Sequence, residues 1–248
     1  MYIRRTNKVL ESNNVKDPDV LECEPVIPPL MHSKNGAGYD VIDTVVATLT
    51  ELPQYVMNEN TMLFRMDART AWTRWAFSLM NYAVSLNGNL PGTDQVKGRM
   101  HKNAVILGDF LVPYYGMTAG RAVATALIAI DDIGMHYVEA KKAKAPTEEI
   151  VASWIPYVND LASLMNELNP NNWPIMLLQD LFNNLIRAWQ DQLDARAAGD
   201  ILADEIAIDY LNKLVVTGVK DHNFGGYSSI ADVFSRGIIA QFPAMFSE

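Results

Sequence analysis

Cysteine is almost missing from this chain: Cys23 stands alone among 248 residues, which excludes an internal disulfide and any multi-cysteine zinc site. Histidine is scarce as well, and His32, His101, His136 and His222 are scattered between predicted loops and helices. No Gly-x-Ser-x-Gly elbow and no phosphate-binding loop occurs, and Gly36-Ala37-Gly38 lacks both a third glycine and a preceding strand. Nucleophilic hydrolysis and dinucleotide binding therefore have no motif behind them. Positive charge is also short, with 20 Lys and Arg against 29 Asp and Glu and a net charge of −9. Phosphate contacts need clustered cations, and Lys141, Lys142 and Lys144 sit where they complement the C-terminal end of a helix, so no nucleic-acid partner is expected. The longest apolar stretch, Ala122 to Ile130, is interrupted by Thr125 and falls far short of the ~20 residues of a membrane span. Met1-Tyr2-Ile3-Arg4-Arg5 has charge but no apolar run after it, so no signal peptide, no membrane partner and a cytoplasmic location are expected.

What the chain does have is apolar residues at helical spacing. Phe64, Ala68, Trp72, Trp75, Leu79, Tyr82 and Leu86 recur every three or four residues and predict one helix of about six turns. It ends in Asn87-Gly88-Asn89-Leu90-Pro91-Gly92, and Thr93 is expected to cap a second helix carrying Val96, Met100, Ala104, Leu107 and Leu111. Pro113-Tyr114-Tyr115-Gly116 ends that one, with Gly116 in a left-handed conformation and Thr118 as the next cap. Val123, Leu127, Ile130, Gly134 and Tyr137 form the third stripe. A helix from about Thr147 to Leu168 contains Pro156, which predicts a kink or two pieces. Another carries Leu178, Leu181, Leu185 and Trp189 to Gly199. Asp200 caps a helix over 201–220, with Ile201, Ile208, Leu211 and Val215 inward. Ser229 and Asp232 resemble a capping box opening a last helix that reaches Ala240.

Hydrophobic residues make up 49% and charged residues 20% of the sequence, the profile of an ordered globular chain. Nowhere does a strand-length alternation recur. The predicted fold is all-α, an antiparallel up-and-down bundle of four or more long helices, with residues 40–248 as a single domain. Residues 1–39, rich in proline and glycine, read as an irregular arm. Its Val26-Ile27-Pro28-Pro29-Leu30 run suits packing on the body or on a neighbouring subunit, a route to a homo-oligomer.

Three groups of side chains offer chemistry. Asp132, His136 and Glu139 lie at i, i+4 and i+7 with Asp131 alongside. At about 100° per residue they fall opposite Val123, Leu127, Ile130 and Tyr137 and so point to water, which argues against a metal site; no Glu-x-x-His pair occurs either. Asp204 lies within about 40° of the centre of its helix's stripe. Gln192 and Arg196 fall on the stripe of the preceding helix, just across the Gly199 turn. A buried carboxylate needs a partner, so Arg196 is expected to pair with Asp204 and fix the turn, with a polar ligand pocket as the alternative. Trp72, Tyr114 and Tyr115, with Arg74 nearby, either line an apolar pocket or plug the end of the bundle.

Several phrases occur in order: Trp72-Thr73-Arg74, Arg99 with Asn103 and Gly108, Pro113-Tyr114-Tyr115-Gly116 with Ala119-Gly120, Trp154, Asn169-Pro170, Ala195-Arg196 through Gly199-Asp200 to Asp204, and Gly237-Ile238-Ile239 with Gln241-Phe242-Pro243. Over about residues 60–246 the chain thereby resembles an uncharacterised bacterial family of small helical proteins, common in Gram-positive genomes and without an established activity. The resemblance implies an antiparallel bundle. It also implies inward histidines on several long helices, but the corresponding positions here hold Arg69, Ile130, Leu185 and Leu214, so no shared metal site and no cofactor is expected. The functional expectation is a non-enzymatic binding or assembly protein. The alternative is an enzyme or carrier with a small-molecule or metal site between the helices near Asp204 and Arg196.

Overall fold

The computed structural model describes residues 58–221 and 226–247. The expected arm over 1–39, Cys23, His32, His222 and an oligomer formed through the arm lie outside the described residues. Among the described residues the fold is all-α, and successive helices pack side by side.

Helix α1 (Glu59–Ala76) opens on a reciprocal cap. The Asn58 side chain accepts from the Thr61 N–H at 2.9 Å, and the Thr61 hydroxyl accepts from the Asn58 N–H at 3.0 Å, which satisfies two of the donors a helix start leaves open. The single helix expected over Phe64 to Leu86 is two. The Ser78 hydroxyl takes the Trp75 carbonyl, a bond that competes with the helical ladder, and Phe77 separates α1 from α2 (Ser78–Asn87). The stripe itself survives the break: Ala68, Trp72, Trp75, Leu79 and Tyr82 are buried.

Thr93–Ala143 is one unbroken run only in name. Gly116 sits in it at φ 83°, ψ 168°, a region essentially reserved for glycine, and divides it into α3 (93–115) and α4 (117–143). The two lie back to back and antiparallel, because His101 meets Asp132 and Gly108 and Gly120 press backbone on backbone. Two expected caps differ. Gly92, at φ 93°, is the N-cap of α3 and Thr93 is already helical, its hydroxyl donating to the Leu90 carbonyl at 3.0 Å; Thr118 lies inside the run. Helix α5 (Glu148–Leu168) keeps one piece through Pro156, whose exposed position keeps its ring clear of packed neighbours.

Helix α6 (Ile175–Ala198) ends at Gly199, φ 72°, and α7 (Ile201–Asn212) starts from Asp200, whose side chain accepts from the Ala203 N–H at 3.1 Å. The expected helix over 201–220 is shorter. After Asn212 the β-branched run Val215-Val216-Thr217 meets a widened π-helical turn (Lys213–Thr217) and Gly218 at φ 82°, since branched side chains crowd the preceding turn. The chain then pairs two three-residue strands, β1 (Val219–Asp221) and β2 (Gly226–Ser228), antiparallel with Val219 opposite Ser228. Leu211 and Val215 are buried as expected, whereas Ile201 is 73% exposed: at the helix start it lies on the side away from Ala207 and Leu211. Helix α8 (Ile230–Gln241) returns antiparallel on α1, and a short 3-10 turn, Pro243–Met245, brings the Phe246 carbonyl onto the Asn58 side chain.

The helices meet through rings. Trp75 of α1 contacts Trp189 of α6 at 5.3 Å, Trp189 stacks on Trp154 of α5 at 5.7 Å, and Trp154 touches Tyr137 of α4. Trp72 contacts Phe234 of α8, which stacks on Trp173 in the α5–α6 loop. Gly237 of α8 lies directly against that indole, and a Cβ there would overlap it. Gly237→Ala should therefore cost about 1–3 kcal/mol in denaturant unfolding. Gly98→Ala, where a Cβ would meet nothing within 4 Å, should add about 0.5–1 kcal/mol by removing a helical glycine.

Candidate functional site

Asp204, Gln192 and Arg196 come together as the sequence predicts. The Gln192 amide donates to Asp204 Oδ1 at 2.7 Å, and the Arg196 guanidinium donates to Oδ2 from Nη2 at 2.8 Å and from Nε at 3.2 Å. Both carboxylate oxygens are engaged, Gln192 is fully buried, and the cluster clamps the α6–α7 turn. Such an arrangement suits a structural tie better than a ligand cradle, because the two-point guanidinium contact that a ligand carboxylate would use is already filled.

The aromatic candidates divide. Trp72 is buried among Trp75, Phe182 and Phe234, whereas Arg74 is exposed and contributes only its backbone carbonyl, which accepts from Asn103 Nδ2 at 2.9 Å. Tyr114 packs on Phe64, Phe242 and Phe246. Tyr115 sits on Trp173 and Phe242, donates to Gln241 Oε1 at 2.6 Å and accepts from Asn169 Nδ2 at 3.2 Å. Burial raises the pKa of both phenols, keeping them neutral. The two tyrosines thus pack with Phe64, Phe242 and Phe246 or with Trp173, while Trp72 packs among Trp75, Phe182 and Phe234.

The Asp132, His136, Glu139 face is outward, and Asp132 and Glu139 take separate partners. His101 Nε2 lies 2.9 Å from Asp132 Oδ1, and Glu139 accepts from the Tyr82 hydroxyl at 2.7 Å. A shallow cleft of about 350 Å³ between α4 and α5 is lined by Ala129, Asp132, Ile133, His136, Ser153 and Tyr157; the Ser153 hydroxyl is turned back onto the Ile150 carbonyl at 2.7 Å. No three His, Cys, Asp or Glu groups converge on a metal-binding point among the described residues, and none of the described helices is long and apolar enough to cross a membrane. The lysine cluster is tied locally: Lys141 pairs with Asp194 at 2.7 Å and Lys142 donates to the Leu86 carbonyl at 2.6 Å. Ile130, Leu185 and Leu214 are buried aliphatics, and Arg69 is committed elsewhere.

Its commitment is a buried acid that sequence reasoning missed. Asp232, 1% exposed, accepts from Arg65 Nη2 at 3.0 Å and from Arg69 Nη2 at 3.0 Å to each oxygen. The expected capping box is thus half formed: Ser229 accepts from the Asp232 N–H at 3.1 Å, but the Asp232 carboxylate turns to α1. The signal was present, since Asp232 is a lone acid in Ile230-Ala231-Asp232-Val233-Phe234 and a buried charge demands a pairing cation. Asp131 is the other. It is 2% exposed and its Oδ2 has no hydrogen-bond partner among the described residues. Burial raises its pKa well above the ordinary carboxylate range, the neighbouring Trp75 side chain lowers it somewhat, and Asp132 raises it further.

Comparison with family models, with curated proteins and with solved structures gives no match.

Asp232→Asn should lose about 3 kcal/mol in chemical denaturation, because two guanidinium groups are left facing a neutral amide. Asp204→Asn should lose about 1–2 kcal/mol; a variant that melts like wild type but loses a ligand would refute the structural role of this clamp. Asp131 has a folded pKa raised above its unfolded value, so the stability it contributes is full below the unfolded pKa and is lost as pH rises through the folded one. Asp131→Asn should therefore flatten the decline of stability between the unfolded and the folded pKa of Asp131, measured as unfolding free energy against pH.

Proposed function

We propose that this is a non-enzymatic binding or assembly protein built on a helical bundle, and that the outer face of α7 is the surface it presents. One observation carries the reading: on a helix whose inner face is already packed through Ala207 and Leu211, Ile201, Leu202 and Ile206 are 73%, 67% and 55% exposed. Single exposed aliphatics are ordinary on any surface, but Leu202 and Ile206, about 40° apart on the helix, form a short outward stripe of the kind that marks contact sites, with Ile201 on another side. Met62, Leu63 and Met66 are exposed on α1 as well.

The charged groups support the same reading. Asp204, Asp232, Glu139 and Asp194 each hold a partner within the fold, so they stabilise the scaffold and present no reactive set. A small-molecule or metal site at Asp204 and Arg196 has less support, because both groups are spent on each other. The acidic balance disfavours nucleic acid, and the single cysteine accords with a reducing compartment such as the cytoplasm.

Ile206→Asp in the full chain should leave thermal unfolding within about 1 kcal/mol of wild type, as for a largely exposed side chain outside the core. A photo-crosslinking residue at position 206 should form discrete intermolecular adducts in cells that make the protein, and the same residue at the exposed position 167 should not. A marked fall in melting temperature together with no adduct from position 206 would overturn the reading.

A further inference from the structure

We draw no further inference here: the strongest candidate, the shallow cleft between α4 and α5 lined by Asp132, His136, Ser153 and Tyr157, carries nothing because Asp132 is tied to His101 and Ser153 to the Ile150 carbonyl and nothing in the structure shows what the cleft would hold.

Discussion

A connected seam of aromatic rings joins the layers of the bundle, and most other features of the structure follow from the need to bury it. Trp72 and Trp75 project from one helix, α1, toward two different neighbours: Trp72 toward Phe234 of α8, Trp75 toward Trp189 of α6. Through Trp189 and Trp154 the seam continues to Tyr137 of α4. Large rings in edge and stacked contact bury area efficiently, but each indole also brings an N–H into a dry interior. Two of those donors are met by backbone carbonyls of other elements: Trp173 donates to Val233 at 3.0 Å, and Trp189 to Ala76 at 2.9 Å. The second bond falls at the end of α1, where the ladder gives way to the Ser78 interruption. Break and indole bond therefore belong to one local solution, a place where the helix lets its carbonyls turn to side chains.

Close packing around the seam makes glycine and charge placement consequential. Helix α8 is buried on nearly every side, so it approaches Trp173 through Gly237 and can carry an acid only where cations reach it. Arg65 and Arg69 stand one turn apart on α1 and converge on Asp232 from the partly exposed rim, their side chains 22% and 41% accessible against 2% for the carboxylate. Long guanidinium side chains can do this because their stems lie along apolar surface while their heads remain near water. Asp204 repeats the solution on a smaller scale with Arg196 and Gln192. Asp131 does not, and burial raises its pKa well above the ordinary carboxylate range.

Much of this was legible in the sequence, for a stated reason. A stripe at 3.6-residue spacing reports burial directly, and Gly with φ above zero reports a turn, so the helices and the reversals at Gly116 and Gly199 could be read from residues alone. The Asp204 clamp was legible because its partners lie only 8 and 12 residues away, across one tight reversal at Gly199. Asp232 pairs across 163 to 167 residues, and only the folded arrangement shows which cations approach; its place after Ser229 offered a local explanation that competed with the long-range one. The short stop after Asn212 was missed for another reason. Leu214, Val215 and Val216 keep the apolar period going, and the widened turn arises from backbone crowding to which hydrophobic spacing is blind.

The placement of α7 explains how its outer face can stay apolar without loosening the bundle. Its start is fixed twice, by the Asp200 cap and by the Asp204 clamp, and its end is fixed by Leu211, Leu214 and Val215, all buried. None of these restraints uses the outer face. A helix held in this way is rigid before anything binds, so a partner would forfeit little ordering entropy on this side of the contact. Had the outward residues been needed for folding, the inner face would lack anchors and the turn would lack its ion pair. The restraints that hold α7 in place, the Asp200 cap, the Asp204 clamp and the buried Leu211, Leu214 and Val215, therefore lie apart from its outward aliphatics.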